Sequence, residues 1–235
     1  GNVPVVSFIP EDMELLSGSP SLRRRFLDDL LIQTDKEYRA SIDSYEKALL
    51  RRNALLDLLR EGKTTRASFA FWDKLLLKHG EVIFQKRRLF LEHLNEKGLT
   101  HSPKYTVEYL PKPLSEARLA EYEMMAGHTL IGPHKDDFLL LVDQDGSDTA
   151  IDVGRYASRG QQRMAVFWLK TCAVQELESS LGLLPILLLD DLFSELDEVH
   201  RSRVFSELGA GQVIMSSIQV PDKDLLPKDL EIIHL

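Results

Sequence analysis

A stretch without proline or glycine extends from Phe26 to Glu61, long enough for many turns of helix. Its apolar residues recur at intervals of three and four, the spacing that places side chains on one face of an α-helix. These residues are Leu27, Leu31, Tyr38, Ile42, Tyr45, Leu49, Leu56 and Leu59. The pattern predicts one long amphipathic helix, or two helices in series, with Gly62 at the end.

A second helical pattern begins near Ser68, a residue type suited to cap the amino end of a helix, and ends near Gly98. Two long helices joined by a short loop favour an antiparallel hairpin. The proline-containing segment from Leu99 to Pro113 interrupts the pattern with a predicted strand at Tyr105–Leu110, and a shorter predicted helix follows from Leu114 to Ala126. We therefore expect a helical arm in this part of the chain.

Strands and helices alternate after Gly132 and Pro133. The continuous apolar run Ile186–Leu189 is typical of a strand buried on both faces of a mainly parallel sheet. The other predicted elements are a hairpin of 137–142 with 151–153, a helix from Ser158 to Ser180, a helix over 198–208, and strands over 212–215 and 232–235. This alternation predicts an α/β unit.

The composition is that of a globular protein, with 43% hydrophobic and 28% charged residues. No apolar segment is long enough to cross a bilayer, and the first residues do not resemble a secretory signal, so a cytoplasmic protein is expected. The single cysteine, Cys172, excludes an internal disulfide and is expected to be a small core residue.

The formal net charge of -8 argues against a protein that coats DNA by bulk attraction, because phosphate contacts need clustered lysines and arginines. Local basic clusters are nevertheless present. They are Arg23-Arg24-Arg25, Arg51-Arg52 and Lys86-Arg87-Arg88. A solvated, ion-paired helix face explains each cluster taken alone better than a nucleic-acid contact does.

Two adjacent carboxylates, Asp190 and Asp191, directly follow the apolar run Ile186–Leu189. Ligands of open α/β sheets bind at the carboxyl ends of the strands. One carboxylate there can hold Mg2+ while its neighbour accepts a proton from an attacking water. This is the arrangement of a Walker B motif, although a buried strand that ends in a solvated acidic turn has the same local sequence.

Two further segments flank this pair. Ser194-Glu195-Leu196-Asp197 comes immediately after it, and Ser158-Arg159-Gly160-Gln161-Gln162 opens the predicted helix before it. Ser158 can cap that helix, and Gly160 lets the backbone approach a ligand closely, so hydroxyl, amides and helix dipole all favour a bound anion. An ordinary N-cap is the alternative for this segment taken alone.

Together these segments resemble the ATP-binding cassette superfamily, and over nearly the whole chain the sequence is similar to its RecF branch. Residues 158–162 resemble the signature motif, Asp190-Asp191 the Walker B pair, 194–197 the D-loop, and 212–217 the strand that leads into the switch region. Residues 7–12 and 18–28 resemble the RecF segment that enters the helical arm, and 130–137 the segment that returns from it.

The resemblance implies an α/β fold with an incomplete ABC-type ATPase lobe and a helical arm. In this division residues 1–25 lead from the lobe into the arm, 26–130 form the arm, and 131–235 form the C-terminal part of the lobe.

The resemblance also implies roles for individual residues, with ATP and Mg2+ as ligands of the full-length protein. Asp190 would coordinate Mg2+, Asp191 would polarise the attacking water, and Ser217, or else Ser216, would act at the switch position. The residues expected to contact the nucleotide are Ser158, Arg159, Gly160, Gln161, Ser194 and Asp197. Because most cassette ATPases have Glu where this chain has Asp191, slow hydrolysis is implied.

The implied function lies in DNA replication, recombination and repair, including the SOS response. It consists of ATP-dependent homodimerisation on double-stranded DNA near single-strand gaps and, with the RecR and RecO mediators, recombinase loading. An SMC- or Rad50-like ATPase that organises chromosomes and a non-enzymatic interaction scaffold stay open as alternatives. A membrane transporter cassette is disfavoured, because transporters resemble neither 18–28 nor 132–137.

A working nucleotide site also needs a glycine-rich loop that ends in Gly-Lys-Ser or Gly-Lys-Thr. Only Gly62-Lys63-Thr64 comes close, but Asp57 occupies the position of the required first glycine, and the tripeptide follows a helix rather than a strand. We interpret it as a helix terminus. The chain is therefore expected to be the C-terminal portion of a longer protein and not to bind ATP appreciably by itself.

His134, which precedes Lys135-Asp136-Asp137, invites interpretation as a metal ligand. No second histidine lies within residues 130–137, and zinc sites need several nitrogen or sulfur ligands. A structural or interface role is therefore favoured for this histidine.

Overall fold

The computed structural model describes residues 3–99, 103–115, 123–143, 149–194, 196–209, 211–217, 231 and 233. Its helices are α1 (Glu14–Ser17), α2 (Pro20–Thr34), α3 (Lys36–Arg60), α4 (Ala70–Leu99), α5 (Glu123–Ala126), α6 (Val153–Tyr156), α7 (Arg159–Leu181) and α8 (Glu198–Glu207). Its strands are β1 (Val5–Phe8), β2 (Tyr105–Leu110), β3 (Asp137–Asp143), β4 (Ala150–Asp152), β5 (Ile186–Asp190) and β6 (Val213–Ser216).

The chain divides into two compact units. The sheet unit consists of Gly1–Gly18 and Leu140–Leu235, and the helical unit consists of Ser19–Leu139. The sequence-based boundaries after residues 25 and 130 fall inside α2 and shortly before β3. The division into lobe and arm stays a prediction.

The long helical stretch of the sequence forms two helices in series, one of the two predicted alternatives. Asp35 separates them: its backbone is extended, and its carboxylate caps α3 by accepting a hydrogen bond from the Tyr38 amide at 2.9 Å. Helix α2 begins at Pro20, earlier than the pattern indicates, because proline suits the first turn of a helix. Helix α3 ends at Arg60, and Gly62 follows with a φ of 70°, which confirms its predicted role as the stop.

Helices α3 and α4 form the predicted antiparallel hairpin. Arg52 contacts Asp73 while Ser41, earlier on α3, contacts His79, later on α4, so the two helices run in opposite directions. The predicted cap at Ser68 is wrong. Residues Arg66–Phe69 form a 3-10 turn, and α4 begins only at Ala70.

Two further expectations for this unit have different outcomes. The strand Tyr105–Leu110 is confirmed residue for residue. The helix expected from Leu114 is wrong at its start, because residues 111–115 have no regular structure, and 116–122 lie outside the described residues. Only Glu123–Ala126 is helical in the described part of that segment.

Buried arginines hold the helical unit together. Arg87, 1% exposed, donates hydrogen bonds to the Asp28 and Asp136 carboxylates and to the Pro133 carbonyl. Arg52 is fully buried and forms ion pairs with Asp73 at 2.6 Å and with Glu123 at 2.5 Å. Buried charges persist only when paired, so both arginines are structural.

The sheet unit contains a parallel three-stranded sheet in the order β1-β5-β6. The strand β1 was not predicted from the sequence. The hairpin of β3 and β4 is confirmed as an antiparallel pair, and its turn at 144–148 lies outside the described residues. Of the strand expected over 232–235 only Ile233 is described, and it has no regular structure.

The parallel sheet is buried on one face only, which corrects the expectation of burial on both. Val6, Phe8, Leu187 and Leu189 point to one face and are at most 8% exposed. On the opposite face Val5 and Ile214 are each 53% exposed. The apolar run Ile186–Leu189 therefore predicted the strand correctly. The described residues bury one face of the sheet and leave the other partly exposed.

Helix α7 packs against β1 and forms the core of the sheet unit. Every residue from Arg163 to Lys170 is buried. Cys172 is buried and carries a free thiol, which confirms its predicted place in the core. The left-handed Gly182, with a φ of 65°, ends the helix one residue after Leu181.

Candidate functional site

The centre of the candidate site is Asp190, the last residue of the middle strand β5. Its side chain is exposed, and it lies in register with Ser216 on β6. The Ser216 hydroxyl donates a hydrogen bond to Asp190 Oδ1. Asp190 Oδ2 makes no hydrogen bond or ion pair to any described residue, so one carboxylate oxygen at this edge is available to a ligand.

The next residue, Asp191, has a φ of 49°, the left-handed region that few residues other than glycine adopt. Its amide donates to the Ser216 carbonyl at 3.3 Å. Its carbonyl accepts from Arg163 Nη1 at 2.9 Å and from the Ser194 hydroxyl at 3.1 Å. These bonds hold an unusual backbone conformation at the end of the strand, and such conformations cluster at functional sites.

Ser158 caps α7 with a complete capping box. Its hydroxyl oxygen accepts from the Gln161 amide at 3.3 Å, and its own amide donates to Gln161 Oε1 at 2.9 Å. The hydroxyl hydrogen is left available for an external acceptor. Arg159 is exposed and Gly160 is half-buried, so the first turn of α7 presents its positive end to solvent.

Gln162 fastens the turn that precedes this helix end. Its side-chain amide donates to the carbonyls of Val153, Gly154 and Ala157 at 3.2 to 3.4 Å. The side chain is therefore committed to the protein itself and supports the position of Ser158.

The two described D-loop candidates also make local contacts. Ser194 bonds the Asp191 carbonyl, whereas Asp197 caps α8 and accepts from the His200 amide at 2.9 Å and from His200 Nδ1 at 2.7 Å. The hydrogen bond from the His200 amide lowers the pKa of Asp197, with a smaller contribution from the His200 ring. Glu195 lies outside the described residues.

The structure brings some of the predicted residues together and leaves others apart. Asp190, Asp191, Ser194 and Ser216 meet where β5 and β6 end. Ser158 and Asp197 make no hydrogen bond to either aspartate among the described residues. Ser216, the last residue of β6, contacts Asp190, and Ser217 follows it in the chain.

Sequence reasoning missed Arg163 as part of this site. Its guanidinium reaches the Asp191 carbonyl from inside α7 and is only 8% exposed. A charged residue in an otherwise apolar helical run, Met164–Leu169, is the sequence signal that would have found it.

The donor set of the site suits a hard cation. A carboxylate oxygen of Asp190 and the hydroxyl of Ser216 are the oxygen ligands that Mg2+ prefers, and protein sites for Mg2+ commonly use one or two carboxylates with substrate phosphates. Among the described residues, no group of three or more His, Cys, Asp or Glu side chains could hold a metal by itself. The residues therefore fit Mg2+ whose remaining ligands are phosphate or water oxygens.

His134 has a structural role, as favoured from the sequence. Its Nε2 donates to the Thr129 carbonyl at 3.0 Å, which leaves Nδ1 to accept from the Tyr45 hydroxyl at 2.7 Å. Burial lowers its pKa to about 4, against the opposing effect of the Thr129 carbonyl. The ring is neutral near pH 7, and both its nitrogens are occupied by protein groups.

The basic clusters are largely committed to internal contacts. Arg23 pairs with Asp137, Arg24 donates to the Asp136 carbonyl, and Lys86 pairs with Asp35 and Glu37. With Arg52 and Arg87 buried, the structure supports an ion-paired rather than a nucleic-acid role for these side chains.

In the part of the chain that the structure describes, no helix has the length and apolar character needed to cross a membrane.

Similar folds occur in two solved structures of the recombination mediator protein RecF in the RecFOR pathway. The RecF-ATP structure matches with a TM-score of 0.79 and 29% identity, over 95% of this chain and 64% of that one. The RecF-ATPrS structure matches with a TM-score of 0.76 and 30% identity, over 93% and 63%. The fold and the acidic pair at the sheet edge define an ABC-type ATPase lobe with a helical arm.

Curated relatives identify the branch. The DNA replication and repair protein RecF of Moorella thermoacetica is 35% identical over 244 residues, which cover 98% of this chain and 64% of the relative. RecF of Agathobacter rectalis is 32% identical over 231 residues, which cover 92% and 62%. No protein-family model matches the chain. The chain belongs to the RecF family, and it spans somewhat less than two thirds of the length of these relatives.

Proposed function

We propose that this chain supplies part of an ATP-hydrolysing site in a protein of DNA replication and repair. The observation that carries the proposal is the acidic pair Asp190-Asp191 at the carboxyl edge of a parallel sheet, with Ser216 beside it. Ligand sites of open α/β sheets lie at this edge. The similarity to solved RecF-ATP and RecF-ATPrS structures supports ATP as the nucleotide.

In the proposed mechanism Asp190 and Ser216 would hold Mg2+ together with phosphate oxygens of ATP. Bound there, Mg2+ would neutralise phosphate charge. Asp191 orients the attacking water and accepts its proton. Its short side chain gives it less reach than a glutamate, so hydrolysis is expected to be slow. Ser217 contributes a hydroxyl near the γ-phosphate.

The capped end of α7 is proposed to serve a nucleotide held by a second copy. The Ser158 hydroxyl can still donate a hydrogen bond, and Gly160 adds a backbone amide at the positive end of the helix. Gln161, whose own amide binds Ser158, can add its side-chain Nε2. Arg159 adds a positive charge, and Ser194 and Asp197, in the turn between β5 and α8, are proposed as further nucleotide contacts. ATP would thus close a homodimer, and hydrolysis would release it.

The wider role is proposed from the family. In it the dimer binds double-stranded DNA near single-strand gaps and acts with RecR and RecO to load recombinase during the response to DNA damage. Support comes from relatives named DNA replication and repair protein and from a similar structure described as a recombination mediator in the RecFOR pathway.

The substitution Asp191→Asn in the intact protein that carries this chain tests the proposal. Because the amide cannot accept the proton, we expect ATP hydrolysis to fall at least about tenfold while Mg-ATP affinity changes less than about threefold. Asp43→Asn, at an exposed site on α3, is the matched control and is expected to leave both values unchanged. Hydrolysis by Asp191→Asn at the rate of the control would contradict the proposal and favour a scaffold.

A further inference from the structure

Arg163 occupies an unusual position in α7. It lies five residues after Ser158, about 7.5 Å further along the helix axis at 1.5 Å per residue. Its side chain is 8% exposed, and the residues that follow it, Met164–Leu169, are all buried and apolar. A charged side chain is costly to bury, so its polar contacts within the protein matter energetically.

The contact of Arg163 that bears on the site is with the backbone of Asp191. Nη1 donates to the Asp191 carbonyl at 2.9 Å. The same carbonyl accepts from Ser194, and the Asp191 amide donates to the Ser216 carbonyl. Of these three donors only Arg163 is charged, and hydrogen bonds from charged donors are roughly twice as strong as neutral ones.

This contact joins two parts of the proposed site. The amino end of α7, with Ser158, is the proposed contact for a γ-phosphate bound by a second copy. The turn at Asp191, with its φ of 49°, sets the direction of the proposed base. A helix moves as a rigid element, so a shift of α7 toward a phosphate shifts the donor that holds the Asp191 carbonyl.

We propose that Arg163 is a positioning residue that couples the phosphate contact at the start of α7 to the placement of Asp191. The inference rests on the proposed function, since it assigns a role within the same reaction. Through this residue, closure of one copy on the nucleotide of another sets the base in the first copy's own site. Arg163 does not touch the substrate itself.

The test compares Arg163→Met and Arg163→Lys in the intact protein, with Arg203→Met as the matched control. Arg203 lies in the same unit on α8, where it pairs with Glu207 at 2.6 Å. We expect Arg163→Met to lower kcat for ATP at least tenfold while Mg-ATP affinity stays within threefold. Arg163→Lys, which keeps a charged donor, is expected to recover part of the loss.

Each outcome decides the inference. If Arg163→Met keeps kcat within threefold of Arg203→Met, the inference is wrong. It is also wrong if affinity and melting temperature fall in step with kcat and lysine restores nothing, because that is the result of general destabilisation. Should Arg163→Met not fold, Arg163→Gln is judged by the same criteria.

Asp191→Asn separates failure of the inference from failure of the proposed function. If wild type and Asp191→Asn hydrolyse ATP equally, the proposed function is wrong, whatever the Arg163 variants show. If Asp191→Asn is inactive and Arg163→Met is not impaired, only the coupling fails.

Discussion

At the residue scale, burial and tertiary contacts determine the protonation state of His134. Its two ring nitrogens are engaged by the Thr129 carbonyl and the Tyr45 hydroxyl, an arrangement that the neutral ring satisfies. Burial lowers the pKa of His134 to about 4, from an ordinary value near 6.5. The sequence already favoured a structural role for this histidine, and the fold shows which groups its ring binds.

The lowered pKa of His134 predicts an acid-sensitive helical unit. Protons bind more readily to the unfolded chain, so the stabilisation is complete above pH 6.5 and is lost as the pH falls toward 4. Allowing for partial exposure, we expect a loss of about 2 kcal/mol that His134→Gln does not show. Urea unfolding at several pH values, with Trp72 as the reporter in a Trp168→Phe background, measures it.

His93→Gln, which removes an exposed imidazole from α4, is the control for that experiment. Equal pH dependence in wild type and His134→Gln would show that His134 does not govern the acid response.

Also at the residue scale, the acidic pair was found from sequence but its support was not. Asp190-Asp191 stood out because two carboxylates end an apolar run. Ser216 and Arg163 come from distant positions in the chain, and their contacts with this pair depend on strand register and helix packing. Neither contact can be read from the local sequence.

At the element scale, capping residues explain both the accurate and the inaccurate boundaries. Asp35 and Ser158 cap helices because their oxygens reach amides three residues on. Ser68 has the same chemistry, yet its hydroxyl bonds Thr64 in a 3-10 turn, so the helix begins later. A residue type permits a cap, and the path of the preceding loop decides whether it is used.

Two substitutions of Ser158 can separate its role in capping α7 from its proposed role in contacting a nucleotide. We expect Ser158→Ala to cost about 1 kcal/mol of stability, whereas Ser158→Asp preserves the cap and stability. Both should lose ATP-dependent self-association, because alanine lacks the hydroxyl and aspartate repels a phosphate. Unfolding followed at Trp168, which lies within α7, and sedimentation with Mg-ATP measure the two effects.

If Ser158→Asp retains ATP-dependent association, the amino end of α7 does not contact the nucleotide. Ser158 is then an ordinary N-cap.

At the scale of the whole molecule, the phosphate cradle is the part of an ATPase that this sequence does not provide. The one similar tripeptide, Gly62-Lys63-Thr64, follows the end of α3, where Gly62 has a φ of 70°, so its interpretation as a helix terminus is confirmed. The exposed face of the β1-β5-β6 sheet, with Val5 and Ile214, is the kind of surface that another layer covers in parallel sheets.

Residues 1–235 expressed alone are therefore expected to show a melting shift below about 1 °C at millimolar Mg-ATP, because ligand stabilisation requires affinity for the folded state. The intact protein measured in parallel should shift by several degrees. A shift of several degrees for residues 1–235 would mean that these residues bind ATP without a glycine-rich loop.

The sequence by itself determined the helical hairpin, the strand at Tyr105–Leu110 and the acidic strand end, because periodicity and residue type act over a few neighbouring positions. It also carried enough motifs in order for the family to be recognised. The tertiary structure decided what depends on residues far apart in the chain. It pairs β5 with β1 and β6, exposes one face of that sheet, buries arginines expected on a solvated surface, and brings Arg163 and Ser216 to the aspartates. Such contacts follow from how elements pack, which no local pattern encodes.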